Sequence, residues 1–160
     1  MSWKNAIFTI VLFYIFVLLQ NSFFPNFNLL GAIPDLIFIY FFTLAFFSSK
    51  EANYSIIFYA LIAGFFSDLY SLSYFGPSII LMIIIGLTLK KVQLLLKNKG
   101  DNYPFSYFIS LFIAFWFIYV SLLGLYFHFF NFNIIFQLIY NTITAVVFFF
   151  SYKSFQKSRK

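Results

Sequence analysis

The chain has no cysteine. Disulfides, thiolate metal sites and thiol catalysis are therefore excluded. It has only four acidic residues and one histidine in 160 positions, which leaves few ways to assemble a metal site or a pair of acid–base carboxylates. No phosphate loop, dinucleotide fingerprint or haem motif is present, and no Gly-x-Ser-x-Gly turn that would expose a nucleophilic serine. Charged residues make up 9% of the chain, where a soluble domain carries about 25%. Ten basic and four acidic side chains could not cover the surface of a soluble fold this apolar. An ordinary cytosolic enzyme, a nucleic-acid-binding module and a disordered chain are all excluded.

What is abundant is apolar surface. Residues of the A, V, I, L, M, F, W, Y and C types make up 63%, with 29 Phe and 12 Tyr. Lipid must solvate that excess. The Phe count, alongside many Ile, Asn and Lys, reads as compositional bias and carries no functional weight. The length suits one domain. We expect an all-α polytopic membrane protein whose single domain covers residues 1–152, followed by a basic tail, 153–160.

Six apolar runs are predicted to span: Asn5–Phe24, Pro34–Phe47, Asn53–Leu72, Pro77–Leu96, Pro104–Phe130 and Asn133–Tyr152. About 20 helical residues cross the hydrocarbon, so the short second run and long fifth run imply tilt or a thinned bilayer. Pro34 suits the first turn of a helix, and Gly76-Pro77 marks a turn followed by a helix start. With six spans, all ten Lys and Arg residues fall on one side. The positive-inside rule then puts both termini in the cytoplasm. Five or seven spans would break that segregation. The first run lacks a convincing cleavage site and is read as a retained helix. The basic tail has two readings: it binds anionic head groups, or it is solvated and only sets orientation.

Small and polar residues recur at helical spacing. The fifth run carries Ser106, Ser110, Ala114, Ser121, Gly124 and His128 in one arc, with Phe117 as the one large residue. The third carries Ala60, Ala63, Gly64 and Ser67, with Asp68 at the edge. Gln137, Asn141, Thr144 and Ser151 align in the sixth; Asn5, Thr9 and Gln20 align in the first. Such faces let helices pack closely in lipid, so these stripes are expected inside the bundle. The Gln137–Asn141–Thr144 stripe has the alternative of lining a cavity or docking a partner's helix.

Glu51 and Asp101 lie in hydrophilic loops. Asp35 and Asp68 are the informative acids, and both fall near the outer face. Asp35 follows Pro34 at a helix start, where the macrodipole favours an anion. Asp68 lies near the C-terminal end of its helix, where the dipole disfavours one, and a membrane carboxylate is costly. Asp68 is thus the stronger candidate for a partner-binding or bundle-interior group. His128 could join both acids in a metal site, or Ser22 or Ser71 and an acid in a triad, but no motif supports either. We expect no catalytic, metal or cofactor residues.

Two stretches resemble a known family. One is Leu19-Gln20-Asn21-Ser22-Phe23-Phe24-Pro25, then Gly31, then Pro34-Asp35-Leu36; the other is Ala63-Gly64-Phe65-Phe66-Ser67-Asp68-Leu69, then Ser73-Tyr74-Phe75-Gly76. Their order and spacing resemble the MreD family of bacterial rod shape-determining membrane proteins. There a Leu-Gln ends the first helix, a Pro-Asp or Pro-Asn opens the second, and a Gly-x-x-x-Asp leads to a short loop ending in Gly. Pro77 directly after Gly76 departs from that pattern. The resemblance covers roughly residues 18–80; beyond Lys90 only hydropathy agrees. It implies a non-enzymatic scaffold in the bacterial inner membrane, serving cell elongation and peptidoglycan synthesis. Implied partners are an MreC-like single-span protein, the MreB filament, RodA and a class B penicillin-binding protein, together with membrane lipid and no nucleic acid. It also implies a fold similar to the substrate-binding subunits of energy-coupling-factor transporters. That likeness supplies the alternative function, a vitamin-binding transporter subunit. Candidate structural or partner-binding residues are Asp68, Asp35, Gln20, Pro34, Gly64, Gly76, Gln137 and Asn141.

Overall fold

A computed structural model describes residues 3–28, 31–48, 53–70, 75–95, 105–127 and 133–158. They form six α-helices with no strand element among the described residues: α1 (Trp3–Leu18), α2 (Leu36–Phe47), α3 (Asn53–Tyr70), α4 (Pro77–Leu95), α5 (Phe105–Phe127) and α6 (Ile134–Ser158). Each predicted span corresponds to one helix. The segments Asn5–Phe27, Pro77–Leu95, Phe105–Leu125 and Ile134–Phe155 are long and apolar enough to cross a membrane. α6 continues past Tyr152 to Ser158, so Lys153 and Lys157 are helical residues.

α1 does not end cleanly. It widens into a π-helical turn at Leu19–Phe23 and tightens into a 3-10 turn at Phe24–Phe27. Such changes of pitch free main-chain carbonyls, which cannot be left bare in lipid. Two asparagines serve them: Asn21 Nδ2 donates to Val17 O at 2.9 Å, and Asn26 Nδ2 to Ser22 O at 3.4 Å. Beyond this stretch Gly31 takes φ +83°. A Cβ built there would stand 3.0 Å from Asn133 Nδ2, so the first connection passes close to the start of α6.

The short helix is the centre of the bundle. Every residue from Leu36 to Phe46 is buried, and α2 touches all five other helices. Its twelve residues rise about 18 Å at 1.5 Å each, against a hydrocarbon core of about 30 Å. Neighbouring helices, and not lipid, surround it. Aromatic rings fill the contacts: Phe13 and Phe16 of α1 meet Tyr40 at 4.8 and 4.9 Å, and Phe38 stacks on Tyr119 at 4.7 Å. Phe42 meets Phe112 at 5.3 Å, Phe46 meets Phe108 at 5.0 Å, and Phe47 meets Tyr152 of α6 at 4.7 Å. Edge-to-face and offset ring pairs of this kind are favourable beyond their buried area.

The small-residue stripe of α3 faces inward as expected. Ala60, Ala63 and Gly64 are buried. A Cβ built on Gly64 would come within 2.4 Å of Ile79 Cα, so α3 and α4 cross backbone to backbone there. The α5 stripe does the opposite. Ser106, Ser110 and Ala114 are exposed, as is Phe117, while Gly124 alone is buried among the described residues of that arc. The buried face of α5 is Phe108, Phe112, Phe115, Trp116 and Tyr119. The reason is volume: rings of α2 and α5 fill the space between the two axes, and small residues there would leave voids, which cost stability.

Candidate functional site

A buried helix that ends inside the bundle leaves four N–H and four C=O groups without helical partners. In a membrane these must be met by protein. Polar side chains from other helices meet both ends of α2.

At the N-terminal end, Asp35 caps its own helix. Its Oδ1 accepts from Phe38 N at 3.0 Å, its carbonyl from Ile39 N at 3.0 Å, and the carbonyl of buried Pro34 from Leu36 N at 3.1 Å. The Asp35 N–H donates to Asn141 Oδ1 of α6 at 2.7 Å. Asn141 is wholly buried. An α6 side chain therefore ties down the start of α2.

At the C-terminal end the work falls to α4. Lys90 and Gln93 are buried at 3% exposure each. Lys90 Nζ donates to Ser48 O at 2.6 Å and to Gln93 Oε1 at 3.2 Å, and Gln93 Nε2 donates to Phe46 O at 3.1 Å. Ser48 closes the last turn with its own N–H to Leu44 O at 3.0 Å and its Oγ to Ala45 O at 2.9 Å. A cation at a helix C-terminus also meets the negative end of the macrodipole. Lys90 was read from sequence as one of the charges that mark the cytoplasmic side. Its side chain is also a buried clamp on α2.

Asp68 performs the equivalent task for α4. It is 4% exposed. Its Oδ2 accepts from Gly76 N at 2.8 Å and its Oδ1 from Ser78 N at 3.1 Å. The dipole of α3 gives this carboxylate no support, but the N-terminus of α4 does. The Gly76-Pro77 step is explained by the same contact. Gly76 takes φ +122°, a conformation that suits glycine, and Pro77 occupies the first helical position, where it has no N–H to satisfy.

Between these caps lies Tyr119 of α5. Its hydroxyl meets Ser67 Oγ at 3.3 Å and also reaches Ser78. Polar groups from α2, α3, α4, α5 and α6 thus gather at one end of the bundle, around Asp35, Asp68, Tyr119 and Asn141. Ser67 lay on the small-residue stripe of the third run, but Ser78 and Tyr119 had no distinguishing motif in the sequence. Tyr119 was one tyrosine among twelve.

Of the sequence candidates, Asp35, Pro34, Asp68, Gly76 and Asn141 belong to this network, and Gly64 sits on the α3–α4 crossing. Gln137 is half-buried one helical turn before Asn141, in the first turn of α6, where its N–H donates to Asn133 O at 2.9 Å. Gln20 lies in the π-helical turn. His128, Ser71, Glu51 and Asp101 lie outside the described residues. Among the described residues no group of three His, Cys, Asp or Glu could hold a metal ion.

Beside the Asp68 cap, Phe75, Gly76, Pro77, Ile80 and Leu81 face Leu122 and Leu123 across an apolar groove of about 420 Å³. The arrangement as a whole spends its polar groups on fastening helices to one another. A family model, that of rod shape-determining protein MreD, matches residues 1–159 of the chain. No curated protein and no solved structure matches it significantly.

Proposed function

Because the chain belongs to the MreD family of rod shape-determining proteins, we propose that it is a non-enzymatic scaffold of the bacterial cell-elongation machinery. It sits in the inner membrane with six spans and both termini in the cytoplasm, and it docks an MreC-like single-span protein. MreB, RodA and a class B penicillin-binding protein belong to the same assembly. The family match over nearly the whole chain carries this reading.

Two structural features support a scaffold over a vitamin-binding transporter subunit. The axis of the bundle is occupied by α2 and its ring contacts, not by a polar cavity. Asp35, Asp68 and Asn141, the polar groups that would fix a ligand, accept hydrogen bonds from helix ends. A locked bundle also suits a part that holds others in register. The charge segregation supports the orientation, since all ten basic residues share one side under six spans.

The test is purification of the tagged protein from native membranes. The scaffold reading expects an MreC-like partner to co-purify, and no saturable binding of common vitamins. Stoichiometric vitamin binding together with an ATP-driven coupling module would replace it with the transporter reading.

A further inference from the structure

Asn141 Nδ2 and Gln20 Oε1 are buried polar atoms with no hydrogen-bond partner among the described residues. The orientation of the Asn141 amide follows from its neighbour. Asp35 N–H donates to Asn141 Oδ1 at 2.7 Å, so the amide cannot be turned without setting two donors against each other. Asn141 Nδ2 is therefore a donor left without an acceptor.

The two helices run antiparallel, and ring contacts fix their register. Phe16 meets Phe148 at 5.2 Å, and Phe24 meets Tyr140 at 6.3 Å. Gln20 lies four residues from each of these α1 contacts and Thr144 four from each of the α6 contacts, so the two are level with each other. Asn141 stands one turn away from Thr144 on the same helix. Thr144 Oγ1 donates to Tyr140 O at 2.9 Å, which uses its proton and leaves its oxygen able to accept. Gln20 also belongs to the π-helical turn, a feature that often marks functional positions and widens the helix locally.

We propose that Asn141 Nδ2, Gln20 Oε1 and Thr144 Oγ1 form a binding site for a single water molecule in the α1–α6 seam. The water accepts from Asn141 and donates to Gln20 and Thr144. Three bonds are the usual complement of a buried water. Both orphan atoms are closed off from the surface, so the site suits a guest of water size and not a lipid head group. Through this water the widened end of α1 is tied to Asn141, and through Asn141 to the start of α2. The site lies beside the α2 caps but does not depend on the scaffold reading.

Solid-state NMR of the full chain in bilayers tests this, with ¹⁵N-labelled asparagine and selective transfer from water protons. The expected result is strong water transfer to the Asn141 side-chain amide and its loss in Gln20→Met. Transfer from lipid protons in place of water, a direct Asn141–Gln20 amide contact, or water transfer unchanged in Gln20→Met would each overturn the proposal. The lipid and amide-contact measurements use the unaltered chain, so they decide the matter even where Gln20→Met does not fold.

Discussion

Asp68→Ala is the sharpest perturbation of the network. It removes both oxygens that receive Gly76 N and Ser78 N, and the alanine methyl offers no acceptor in their place. A buried donor stripped of its partner costs about 1–3 kcal/mol, and loss of an N-cap costs about 0.5–2 kcal/mol. Gly76 is only half-buried, so water recovers part of its bond. The net expectation is about 2–4 kcal/mol, a large share of the roughly 5–15 kcal/mol that holds a domain folded. The loss should be local first. Amide hydrogen exchange in bicelles reads it at Gly76 and Ser78, where about 2 kcal/mol speeds exchange about thirtyfold at 1.4 kcal/mol per factor of ten. Amides in the middle of α6 should respond less. Asp68→Asn keeps one acceptor and should fall between. Unchanged exchange at Gly76 and Ser78 in Asp68→Ala would refute the capping role.

Lys90→Met should destabilise the bundle by about 1.5–3 kcal/mol, the worth of a hydrogen bond to a charged group, while exposed Lys91→Met should stay within about 0.5 kcal/mol; equal effects in thermal unfolding would contradict the clamp. Gly64→Val must push against the Ile79 backbone and should cost about 1–3 kcal/mol or more, whereas equal melting temperatures would mean that α3 and α4 do not cross there. Asp68→Leu is expected to insert in the membrane but to reduce partner yield and disturb cell shape, and normal rods with full complex yield would remove Asp68 from the functional residues. A cysteine placed at Lys99 on this cysteine-free chain should resist impermeant reagents in intact cells; labelling there would reverse the topology.

The six helices were legible because apolar runs alternate with polar breaks, and Pro34, Gly76 and Pro77 marked their starts. The placement of α2 was not. A helix that is apolar all round is buried in protein or bathed in lipid, and periodicity alone does not separate the two. Its length was the available clue: a helix shorter than the hydrocarbon is thick must have its ends met by neighbouring helices. That clue would have drawn attention to Gln93, which the sequence reading passed over, and to Lys90, which was read only as one of the segregated basic charges. The small residues of α5 misled for a related reason. Close packing through Ser, Ala and Gly is one way to join helices in lipid, but a core built from Phe38, Phe42, Phe108 and Phe112 joins them through rings and turns the small face outward. Asp68 was read as a partner-binding or bundle-interior group; its side chain is buried against the start of the next helix, fixed by a turn whose geometry no periodicity describes.

Depletion in its own host is the most direct test of whether this MreD-family chain serves rod shape as the proposed scaffold. Cells followed by microscopy should round or swell as the protein is lost and return to rods when the unaltered chain is supplied. Cells that keep normal rod shape through complete depletion would contradict the account.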